Sequence, residues 1–225
     1  MSPDHSASES RGLTIRRRVS AAASTCLATI LLAGQATAAD QAQKVEATEQ
    51  KAEVLEHKAS DEGSKVPSFA WPWQTISKGE VQAVDPLGKQ PMDDAITCLS
   101  RTIYWEARSE NAASMEAIAN VVMNRLGHKG YSDTICKVVM QGQEQGACQF
   151  SWWCDGRSDE AKDDDAYAIA KEISRKALNG QLRDRTGGAL YFHQRKAAPD
   201  WSREYIRTAR IGEFVFYKPK EGAAK

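Results

Sequence analysis

The apolar period of this chain changes once, and the change limits the fold to a helix-rich body followed by a small sheet. Between Met92 and Leu178 the apolar residues recur at helical spacing, interrupted from Gly142 to Arg157 by a loop with a compact aromatic core. Asp93 or Asp94 can cap a first helix that runs to about Ala107, with Leu99 and Ile103 on one face and Glu106 at its edge. Ser109, Asn111 and Ser114 offer caps for a second helix, striped by Met115, Ile118, Val121, Val122 and Leu126 and ended by Gly127. A short third helix starts at Ser132 or Asp133. A strong one covers Asp163 to Leu178, with Ala166, Ile169, Ala170, Ile173 and Ala177 expected inward. After Gly187-Gly188 the period shifts toward two, and Ala189 to His193 and Glu213 to Tyr217 read as strands. The expected fold class is therefore α+β, a small helix-rich domain over residues 92–218 with a short C-terminal β-sheet and a flexible tail over 219–225.

The preceding segments have another character. Arg11, Arg16, Arg17 and Arg18, the apolar run Val19 to Ala33 and the triplet Ala36-Thr37-Ala38 read as a signal peptide over residues 1–38, cut after Ala38. The run is short for a bilayer span of about 20 residues, so no stable membrane span is expected after cleavage. Residues 39–91 read as a charged spacer followed by a Pro-containing linker. Val45, Ala52 and Ala59 lie seven apart, as do Thr48 and Leu55, but two heptads of small residues fall short of a coiled coil. An envelope protein partner bound through the spacer is one role for it, and Trp71 or Trp73 could dock on the domain.

Basic and acidic residues number 30 each, a balance that argues against a nucleic-acid partner. Four cysteines remain beyond the leader: Cys98, Cys136, Cys148 and Cys154. In an exported protein this even number points to two disulfides, with three connectivities open. The one favoured is Cys148–Cys154 with Cys98–Cys136. The Cys148/Cys154 spacing is not a zinc knuckle, and no metal is expected.

No nucleophile elbow, phosphate loop, dinucleotide motif or HExxH is present, and only His128 and His193 lie in the domain. What remains is a carboxylate. Glu106 sits between Trp105 and Ala107 at the apolar margin of the first helix, where desolvation raises a carboxyl pKa and keeps it protonated, as a glycosidic general acid requires. A solvated helix end carrying Glu106, Arg108 and Glu110 is the competing reading.

The run from Cys98 through Ile103-Tyr104-Trp105-Glu106-Ala107-Arg108-Ser109-Glu110 resembles the opening motif of the SleB/CwlJ-type cell wall hydrolases. Ala117 to Arg125 is similar to the second-helix stretch of that family, Gln149-Phe150-Ser151 with Asp155-Gly156 to its central loop, and Ala189 to His193, Pro199 with Trp201, and Ile211-Gly212 with Phe216-Tyr217 to its C-terminal segments. The resemblance spans residues 96–217. It implies a lysozyme-like, lytic-transglycosylase-like fold that acts on peptidoglycan without a cofactor, with Glu106 as catalytic acid. Ser109 stands where the motif has Gly, and Phe214 where it has His, so no role of that His carries over.

Glu110, Phe150, Ser151, Tyr191, His193 and Trp201 are the candidate substrate-binding residues, with Glu110 also able to serve as structural support. The expected protein is an exported, periplasmic or wall-associated enzyme. It would cut the glycan strand between N-acetylmuramic acid and N-acetylglucosamine as a lytic transglycosylase with one catalytic Glu. The alternatives are a muramidase or glucosaminidase using Glu110 or Asp155 as second carboxylate, an amidase cutting the peptide stem, and a non-catalytic glycan-binding module.

Overall fold

The computed structural model describes residues 24–62 and 72–220. Most of the expected leader, residues 1–23, lies outside them, as do Trp71 and residues 221–225 of the expected tail. Helix α1 covers Ser24–Glu62, and the chain divides into two compact units at Gln41/Ala42. Only the second unit, from Ala42 onward, carries the architecture described below. Its helices are the rest of α1, then α2 (Lys78–Ala83), α3 (Ala95–Ala107), α4 (Ala112–Arg125), α5 (Ile135–Val139) and α6 (Asp164–Leu178). They precede strands β1 (Tyr191–Gln194), β2 (Ile206–Ile211) and β3 (Phe214–Lys218), which form an antiparallel sheet in the order β1-β3-β2. This is the helix-rich α+β class with a short C-terminal sheet that the change of period predicts.

The helix starts follow capping chemistry. Asp94, Asn111 and Asp163 each accept a hydrogen bond from the backbone N–H three residues on, about 3 Å away, so orphan donors are satisfied at α3, α4 and α6. α3 is the central element: eleven of its thirteen residues are buried, Ala95 to Tyr104 and Ala107, and it packs on α4, α5 and α6. Cys98 on α3 is disulfide-bonded to Cys136 on α5, and Cys148 to Cys154 across the central loop.

Residues 42–62 and 72–91 differ from the expected spacer and linker. The seven-residue seam of α1 turns Ala52, Leu55 and Ala59 into the hydrophobic core, with Thr48 buried beside them and Val45 packed at the edge. Two heptads are too few to hold a separate coiled-coil partner, but the domain itself covers this face. The small residues allow close approach, and a Cβ on Gly127 would collide with Ser60 at the end of α1. Buried Glu56 also accepts a hydrogen bond from the Ile135 N–H at the start of α5, whose own N-cap Thr134 makes none. Further on, Ser77 and Glu80 form a capping box that starts α2, and Lys51 pairs with Glu80 at 2.8 Å. Asn179 clasps the Ile76 backbone with both amide atoms, at 2.9 and 2.8 Å.

Asp85 secures the end of this segment. Its carboxylate is wholly buried and accepts from Arg101 Nε and Nη2 (2.9 and 2.7 Å), from Tyr167 Oη (2.6 Å), and from the backbone N–H groups of Lys89 and Gln90. Burial alone would raise the Asp85 pKa, but these donors outweigh it and hold the carboxyl below its usual range.

Two details of periodicity also differ. Ile169, expected inward, is exposed, because the buried arc of α6 is centred on Ala170, Ser174 and Ala177, with Tyr167 and Lys171 filling the flank assigned to it. β2 has no counterpart in the sequence reading. Its Ile-Arg-Thr-Ala-Arg-Ile run carries a bulge between Arg207 and Ala209, which breaks the alternation that marks a strand.

Candidate active site

The C-terminal end of α3, the C-terminal end of α4, the central loop and the outer face of β1 meet around a cleft of about 530 Å³. It is lined by Glu106, Arg125, Gln149, Ser151, Tyr191, His193, Trp201 and Tyr205, among others. Glu106 is the one carboxylate among these lining residues.

Glu106 reaches the cleft because it follows the buried Ile103 face of α3 by one turn and emerges where that face leaves the core. Its side chain is partly buried. Desolvation pushes its pKa up to about 7, against the opposing pull of the Arg125 guanidinium. The neighbouring aromatics do not wall it. Trp105 Nε1 donates to the Asp159 carbonyl (3.0 Å), and the Tyr104 hydroxyl accepts from the Lys162 and Asp163 N–H groups (3.1 Å each). Adjacent residues on a helix point in different directions, so these two rings anchor the loop that leads into α6. The water-poor surroundings of Glu106 are tertiary, built by β1 and the loop.

Arg125 ends α4 and is buried, with 3% of its surface exposed. Nε donates to the Leu190 carbonyl at 2.8 Å. The guanidinium lies over the rings of Phe150 (5.1 Å) and Tyr131 (5.2 Å) and beside Tyr191 (5.9 Å). Nη1 is buried without a hydrogen-bond partner among the described residues. Burial lowers its pKa while the neighbouring Tyr131, Tyr191 and Glu106 raise it. The Arg125 charge faces the cleft and Glu106.

The far wall is aromatic. Tyr191 lies at a tilt against Tyr205 (4.7 Å) and Trp201 (5.8 Å), and the Trp201 ring meets His193 edge-on at 5.6 Å. His193 Nε2 is 3.0 Å from the Tyr217 hydroxyl. Tyr205 is a lining residue that sequence reasoning missed. It lies on an irregular stretch, and its place four residues after Trp201 was its one signal.

The structure brings Glu106, Ser151, Tyr191, His193 and Trp201 together, and leaves Glu110 and Phe150 outside the lining. Glu110 sits against the β2–β3 turn, where its Oε2 would be 3.2 Å from a Cβ on Gly212. Phe150 is fully buried beneath Arg125, as core. Asp155 is exposed at the end of the central 3-10 turn, where it accepts from the Arg157 N–H. Among the described residues no three His, Cys, Asp or Glu side chains gather as metal ligands.

Residues 109–217 match the family model described as Cell Wall Hydrolase, a match that begins three residues past Glu106. A spore cortex-lytic enzyme of Halalkalibacterium halodurans is 31% identical over 131 residues, covering 55% of this chain and 34% of that protein. One from Bacillus cereus is 26% identical over 128 residues, covering 55% and 44%. The chain thus spans less than half the length of these relatives. Among solved structures, the catalytic domain of the Bacillus cereus SleB protein is 26% identical with a TM-score of 0.46, covering 58% of this chain and 93% of that one. The catalytic domain of the germination-specific lytic transglycosylase SleB from Bacillus anthracis is 25% identical with a TM-score of 0.45, covering 58% and 98%. Residues 109–217, which supply all of the cleft except Glu106, are thus the part of this chain that is similar to the cell wall hydrolase family.

Proposed function

We propose that this protein is a peptidoglycan-cleaving enzyme that works outside the cytoplasm as a lytic transglycosylase. The observation that carries the reading is Glu106, a carboxyl with its pKa near 7 that stands as the one carboxylate of an aromatic cleft. Near neutral pH a large fraction of it is protonated. It donates that proton to the glycosidic oxygen between N-acetylmuramic acid and N-acetylglucosamine as the bond to the anomeric carbon breaks. The resulting carboxylate is stabilised by the fixed charge of Arg125, whose guanidinium needs no reorganisation because Leu190 and the surrounding rings already hold it. The carboxylate then takes the proton of the muramic C6 hydroxyl as that oxygen closes on the anomeric carbon. The cycle ends with a 1,6-anhydro product and Glu106 again protonated. One carboxylate serves both transfers. Tyr191, Trp201 and Tyr205 offer apolar faces for sugar rings.

The test is mass spectrometry of digested sacculi with the wild-type chain and Glu106→Gln. The expected outcome is anhydro-muropeptides with the wild type and a loss of about 10²–10⁴ in rate with the variant. Reducing-end muropeptides would replace the reading by hydrolysis with water, free stems by amide cleavage, and no release by glycan binding alone.

A further inference from the structure

A second groove of about 360 Å³ adjoins the cleft, and His193 lines both. Its cationic wall is produced by the β-bulge. In β3, Val215 and Tyr217 point to one face of the sheet, while Phe214 and Phe216 point to the other, into the hydrophobic core. Arg207 pairs with Tyr217 and Arg210 with Val215. Two residues three apart in a regular strand would face opposite sides; the bulge between Arg207 and Ala209 returns both to the same face. On the other side of β3, Tyr217 pairs with Tyr191 and Val215 with His193. Two cross-strand rows result, Arg207–Tyr217–Tyr191 and Arg210–Val215–His193, and each runs from an exposed arginine to a residue of the cleft wall.

Neither Arg207 nor Arg210 has a carboxylate partner among the described residues, whereas nearby Arg195 is 3.4 Å from Glu213. The chain as a whole carries equal numbers of basic and acidic residues, so this concentration of positive charge is local. Two strand spacings separate the arginines from the cleft wall, about 10 Å. An extended peptide of three or four residues spans about 10–14 Å.

We propose that this groove binds the carboxylates of the peptide stem attached to the muramic residue next to the scissile bond, with Arg207 and Arg210 as their partners. The proposal rests on the reading of peptidoglycan as substrate. It makes the protein selective for strands that still carry stems, through guanidinium–carboxylate pairing well away from Glu106.

Two measurements on the full chain test it. In the first, Arg207→Ala/Arg210→Ala is compared with wild type on glycan strands with stems and on strands stripped of stems by an amidase. The expected result is a KM raised about tenfold or more on stem-bearing strands with kcat unchanged, no change on stripped strands, and substantial recovery with Arg207→Lys/Arg210→Lys. An equal loss on both substrates, or no loss on either, would overturn the proposal. In the second, a soluble stem tetrapeptide with free carboxylates is titrated into the wild type and the double alanine variant. Binding that weakens at least tenfold in the variant, and in a peptide whose carboxylates are amidated, supports the groove. A peptide that does not bind the wild type, or binds both proteins equally, refutes it. This titration needs no turnover: a chain that binds the peptide yet cleaves no glycan would refute the proposed activity and leave the groove assigned.

Discussion

On the proposed mechanism Glu106→Gln is expected to abolish turnover and, above neutrality, to make the protein more stable. In the unfolded chain the Glu106 carboxyl titrates near 4.5; in the fold, desolvation at the cleft, partly offset by Arg125, raises this to about 7. The folded state therefore binds the proton more tightly than the unfolded state. Stability is highest below the unfolded pKa and falls as the pH climbs through 4.5 toward 7, after which the penalty is constant. At ~1.4 kcal/mol per pH unit the whole penalty is roughly 3 kcal/mol, reduced to about 2–3 kcal/mol because the side chain is partly in contact with solvent. The neutral amide carries no such penalty. Its advantage over the wild type should be near zero at about pH 4 and about 2–3 kcal/mol at about pH 8.5, a rise in Tm of roughly 5–10 °C relative to the acidic condition. Thermal melts of both proteins at the two pH values measure this directly. A Tm difference that does not change with pH would refute the claim that Glu106 is desolvated by the fold, and with it the basis for its role as an acid.

The same titration sets the rate profile: activity should fall about tenfold per pH unit above pH ~7, because the proton-donating form is lost there, and a profile flat to about pH 9 would contradict this. Asp85→Asn leaves Arg101 buried against a neutral amide and should cost about 3–5 kcal/mol in urea unfolding at neutral pH. Because the Asp85 pKa is held low, that contribution is present above the unfolded pKa and disappears as the pH falls through the folded one, so the two proteins should converge in acid. A chain beginning at Met92 loses the buried side chains of Leu55, Ile76, Val81 and Val84 together with Asp85, each aliphatic group worth about 1.5–3 kcal/mol, and should melt far below the full chain or not fold; equal midpoints would show that residues 42–91 are a spacer after all. Replacing Cys98 and Cys136 by alanine opens a loop of 38 residues and should cost about 4 kcal/mol, read as a lowered unfolding midpoint without loss of the cleft.

The helices α3, α4 and α6 were legible in the sequence because each carries its own apolar stripe and its own cap, and such signals need nothing outside the segment. Glu106 stood out for a related reason: it marks the edge of a stripe, within a motif of recognisable spacing. Even the seam of α1 was visible as two short heptads. What a linear reading could not supply was the partner for that seam, because the core it joins is assembled from segments far along the chain. The desolvation of Glu106 likewise depends on tertiary contacts, since its sequence neighbours Tyr104 and Trp105 turn away toward the loop at 159–163, while Arg125, Tyr191 and Trp201 arrive from other elements. The bulge in β2 shows the same division. Periodicity can assign faces only while the count of residues per turn or pleat is regular, so one extra residue at Thr208 hides the strand from the sequence and sets Arg207 and Arg210 side by side in the fold.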